Sequence, residues 1–84
     1  MSASTQTQDS LYQKVVDVTE EYMGPAADRF VARQIRNHLD KDPQKLRKRD
    51  LGQLINWITI AMAFLTEDEK LVKQYVADLE QLQK

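Results

Sequence analysis

The 84 residues contain no cysteine, which excludes a disulfide framework and a thiolate metal site. Glycine and proline occur twice each, too few for the turns of a β-rich fold. The two glycines, Gly24 and Gly52, stand alone, so no glycine-rich loop can cradle a phosphate. Histidine occurs once, at His38, and its helix supplies no carboxylate within a turn of it to complete a zinc site. It reads as an ordinary histidine near a helix C-terminus, where its charged form is favoured. Ser10 has no base in sequence reach. The carboxylates of Glu20, Glu21, Glu67, Asp68 and Glu69 fall at helix ends, where they solvate or complement the dipole. The expectation is therefore no catalytic residue, no cofactor, no metal and no enzyme.

Neither a leader nor a membrane span is expected. Residues 1–9 are polar, with nothing to insert into a translocon. The longest uncharged run, residues 51–66, contains Gln53, Asn56 and Thr59 and falls short of the ~20 residues a span needs. A cytoplasmic, membrane-free protein is expected.

The residues that are present have helical periodicity. The expected fold is all-α, a compact bundle of about four helices over 9–84 behind a disordered tail, 1–8. The first helix is placed at 9–22, capped by Asp9 or Ser10, with Leu11, Val15, Val18 and Tyr22 as its buried face. Gly24 fits the position just past its end, and Pro25 the first position of the next helix, so a sharp corner is expected there. That second helix runs to about Leu39 on a face of Ala27, Phe30 or Val31, Ile35 and Leu39. Asp42 can cap a short turn begun by Pro43, and Leu46 can tuck the connector onto the core.

The third helix, 48–65, carries two apolar stripes. One is Leu51, Leu54, Ile55, Ile58, Met62 and Leu65; the other is Trp57, Ile60, Ala61 and Phe64. A helix so apolar is either central or shares a face with a partner. The segment Thr66-Glu67-Asp68-Glu69 has the pattern of a capping box opening the last helix. The last helix would then fold back antiparallel, burying Leu71, Val72, Tyr75, Val76, Leu79 and Leu82.

The net charge of -1 conceals a segregation. Residues 29–49 hold eight bases and two acids, whereas both flanking segments are net acidic. Arg29, Arg33 and Arg36 share one helical face and, with Lys45, Arg47, Lys48 and Arg49, make a candidate patch for a partner. The plain alternative is that these side chains pair with the acidic first and last helices. The slightly negative total and the scarcity of aromatics among the bases favour an acidic protein over nucleic acid. Trp57, Ile60, Ala61 and Phe64 either fill the core or form a homodimer interface.

Tyr22-Met23-Gly24-Pro25-Ala26-Ala27, followed by Val31, resembles a small helical domain of bacterial signalling proteins. That domain often stands beside Ser/Thr kinases or response-regulator modules and is common in photosynthetic bacteria. Asp50-Leu51 with Leu54-Ile55 looks similar to its second helical segment, so the resemblance covers residues 18–65. It implies a non-catalytic interaction module in signalling or regulation and brings no ligand residues with it. The expected function is thus a non-enzymatic protein–protein interaction or assembly module that dimerises and binds an acidic partner. The alternative is a small nucleic-acid-binding regulator using the same bases. A third reading, an enzyme or ligand carrier, requires a pocket lined by Trp57 or Tyr75 with convergent polar groups.

Overall fold

Ser10 caps the first helix: its side-chain oxygen accepts the Gln13 N–H at 3.0 Å. The computed structural model describes residues 10–84, so the tail expected at 1–8 and the alternative cap Asp9 lie outside the described residues. Helix α1 spans Leu11–Met23. Gly24 ends it at φ 65°, a conformation that costs residues with a Cβ, while its N–H still reaches Glu20 O. A 3₁₀ turn, Gly24–Ala26, holds Pro25 near its start and leads into α2, Ala27–Gln34.

The helix begun by α2 continues to Leu39, as the periodicity requires, but Ile35–Leu39 widens into a π-helical turn. Asp40 then closes it in the left-handed region at φ 53°. Asp42 Oδ1 accepts the Gln44 N–H and caps the turn Pro43–Lys45. Leu46 is buried, pinning the connector to the core. A further 3₁₀ turn, Lys48–Asp50, precedes α3, Leu51–Leu65. Helix α4, Glu69–Gln81, follows after three residues.

The architecture is all-α, with no strand among the described residues. Helix α1 packs against α2 and α4, α3 packs against α4, and the π-turn meets α3. Their shared core contains Val15, Val31, Ile35, Leu51, Leu54, Ile58, Tyr75 and Leu79, each fully or almost fully buried.

Four local expectations need correction. The buried face of α1 is Tyr12, Val15, Val16 and Thr19; Leu11, Val18 and Tyr22 sit at its margin. The face is rotated because Thr19 carries its own polar partners inward. Its hydroxyl donates to Val15 O at 2.8 Å, which leaves the Tyr75 hydroxyl to donate to Thr19 at 2.6 Å. The capping box also fails. The Thr66 N–H is bonded to Met62 O in the last turn of α3, so it has nothing to offer Glu69. Asp68 caps α4 instead, accepting the Leu71 N–H, while Thr66 Oγ1 accepts the Asp68 N–H. In α4 the fully buried residues are Tyr75 and Leu79, with the rest of the expected stripe half-buried around them. Finally, Leu65, assigned to the core stripe of α3, is 64% exposed.

Candidate functional site

Arg29 and Arg33 lie exposed on α2, and Arg36 follows on the π-turn. With Asn37 they border a cleft of about 400 Å³ that Tyr12 and Asp28 also line. The Tyr12 hydroxyl donates to the Asp28 carboxylate and lies 3.1 Å from the Asp28 carbonyl. Burial, and then Asp28 itself, push the Tyr12 phenol above its ordinary range, with Arg36 opposing. The one acid in this cleft is thereby engaged by a neutral donor and not by a guanidinium.

Among the described residues the one ion pair within 4.0 Å is Lys41–Asp50, at 2.7 Å. The hydrogen bond from Lys41 holds the Asp50 carboxyl below the usual carboxylate range; burial opposes this and the Arg47 N–H assists. The expected pairing of the arginines with acidic helices is therefore not seen among these residues. Arg29, Arg33 and Arg36 have no carboxylate at ion-pair distance there.

The seven bases do not share one cleft. Lys45 ends the turn begun by Pro43, and Arg47 precedes Lys48 and Arg49 of the turn before α3. Lys48 Nζ donates to Lys84 O at 2.7 Å, which places this group at the C-terminal end of α4, where a cation is favoured. Arg29 and Arg33 border the opposite end of α3, sharing a groove with Ala61 and Leu65. Ten helical positions separate Leu51 from Ala61, a distance of about 15 Å. Arg36 alone reaches towards the connector, lining clefts with Asp40, Lys41, Asp42 and Pro43.

The second apolar stripe of α3 is divided between core and surface. Trp57 is half-buried, with the His38 imidazole stacked on its indole at a centroid distance of 3.9 Å and 6° between planes. Ala61 is half-buried against α2. Ile60 is 42% exposed and Phe64 87% exposed. Together with Leu65 they form a bare apolar end on a helix that contains no charged residue. Sequence periodicity missed the role of Leu65 and the stacking role of His38. Leu65 lies in the last turn of α3, beside Thr66, where the helix ends.

Tyr75 is fully buried. Among the described residues no three His, Asp or Glu side chains converge as a metal site, and no helix is long and apolar enough to cross a membrane. No family model matches this chain, and neither a curated protein nor a solved structure matches it.

Proposed function

We propose that this chain is a non-enzymatic protein–protein interaction and assembly module of bacterial signalling or regulation, acting in the cytoplasm. Its basic face receives an acidic protein segment, and its apolar helix α3 joins it to a second copy. The observation that carries the reading is the line of three exposed guanidinium groups, Arg29, Arg33 and Arg36, with no carboxylate within 4.0 Å among the described residues. Guanidinium forks match carboxylates bidentately, so an unpaired row favours an acidic side-chain array. Lys45, Arg47, Lys48 and Arg49 extend the attraction at longer range. The likeness around Tyr22 to Ala27 supports the signalling setting.

The test is the binding of a labelled Glu-rich helical peptide, followed by fluorescence anisotropy, to the chain and to Arg33→Glu/Arg36→Glu. The variant should bind about tenfold more weakly or worse. An unchanged affinity overturns the reading. If the peptide fails and a DNA duplex binds with a log–log salt slope of about -0.9 per phosphate contact, the bases serve nucleic acid.

A further inference from the structure

Helix α3 leaves open a ridge with unlike flanks. Gln53, Trp57, Ile60 and Phe64 follow one another at the 4, 3, 4 spacing of a single seam. His38 stacks on Trp57, so the bare part of the seam is Ile60 and Phe64, widened by Leu65. On one side Ala61 and Leu65 border the groove shared with Arg29 and Arg33 of α2. On the other, Thr59 and Ala63 border a groove of about 590 Å³ shared with Glu67, Glu69, Val72 and Lys73. The ridge thus has a basic rim of two guanidiniums and an opposite rim of two carboxylates with one ammonium.

We infer that a second copy of this chain covers the ridge with its own α3 running parallel, so that Arg29 and Arg33 of each copy face Glu67 and Glu69 of the other. This rests on the assembly reading above and adds the orientation. A two-fold axis lying along α3 exchanges the flanks, bringing each basic rim onto an acidic one. The antiparallel alternative has its axis across the helix and leaves each flank facing its own kind, arginine on arginine. Like charges held face to face are destabilising, so the rims select the parallel arrangement.

Other features favour the same occupant. The ridge carries no charge that a partner would have to desolvate, and an apolar patch rimmed by polar groups marks an association site. A parallel pair sets Ile60 and Phe64 against their own copies, as in the seam of a two-stranded coiled coil. An isologous contact also needs no second surface, because one patch complements itself.

Sedimentation equilibrium of the full chain at low salt tests both levels. The expected result is a dimer, and Phe64→Glu should weaken it by about a hundredfold while leaving the helical circular dichroism unchanged. A monomer at every concentration up to about 1 mM overturns the pairing, as does a dimer indifferent to Phe64→Glu. Orientation is read from charge reversals. Arg33→Glu and Glu69→Arg should each weaken the dimer by about tenfold, and the double variant should recover most of the loss. A dimer that Phe64→Glu dissolves but Arg33→Glu strengthens retains the α3 interface and overturns the parallel orientation. Failure of peptide binding with the dimer intact counts against the acidic-partner reading alone.

Discussion

The contact between α1 and α4 and the outer end of α3 handle polarity in opposite ways. Between α1 and α4 four polar side chains enter the packing and all are partnered. Tyr75 and Thr19 share a buried hydrogen bond, Tyr22 donates to Asp78, and the Tyr22 and Tyr75 rings lie 5.0 Å apart. No buried side-chain nitrogen or oxygen lacks a partner among the described residues. At the end of α3, Ile60, Phe64 and Leu65 meet solvent with no polar group to justify them. A satisfied polar network closes an internal contact and fixes its geometry. Unsheltered apolar surface instead marks a contact the folded chain does not make for itself.

The largest effect should come from breaking the closed side. Tyr75→Ala empties the fully buried centre of α4 and should cost about 3–5 kcal/mol, read from the urea midpoint. A small loss there would mean that the α1–α4 contact is not part of the stable core.

Alkaline titration comes next. The hydrogen bond to Asp78 and then burial raise the Tyr22 phenol to about 12. Burial raises Tyr75 to about 12. Unfolded tyrosines titrate near 10, so the folded state holds its phenolic protons more tightly. The stabilisation is complete below pH 10 and is lost as the pH rises towards 12. The midpoint of Tyr22→Phe/Tyr75→Phe should fall less steeply over that window, and an equally steep fall would discount both phenols.

Gly24→Ala should cost about 1–3 kcal/mol. A Cβ there meets nothing within 4 Å, so the penalty comes from the positive φ alone. Melting the variant beside Phe64→Ser sharpens the comparison. The latter touches only the bare ridge and should move monomer stability by no more than about 0.5 kcal/mol. A larger loss would return Phe64 to the core.

Much of this was legible in order of residues alone. Gly24-Pro25 announced the corner because one residue must accept a positive φ and the other lacks an N–H. Asp42-Pro43 announced the capped turn, and the spacing of Leu51, Leu54, Ile58 and Met62 announced the buried face of α3. The errors arose where a remote or already engaged partner decides. Thr19 enters the core because the Tyr75 hydroxyl, 56 positions away, donates a hydrogen bond to it there. Thr66 could not join a capping box once Met62 had taken its N–H. The candidate bases were legible as residues, but their division between the two ends of α3 was not, since it depends on how α2 lies along that helix.

Arg29 and Arg33 stand between two grooves, one towards Tyr12 and one towards Leu65. The same two side chains would be claimed from both sides, by the acidic segment and by Glu67 and Glu69 of a second copy. An acidic segment drawn into the first groove should therefore compete with self-association through the second, and adding the Glu-rich peptide should lower the mass measured by light scattering. On that basis the chain would act as a two-position relay: paired when alone, single when engaged.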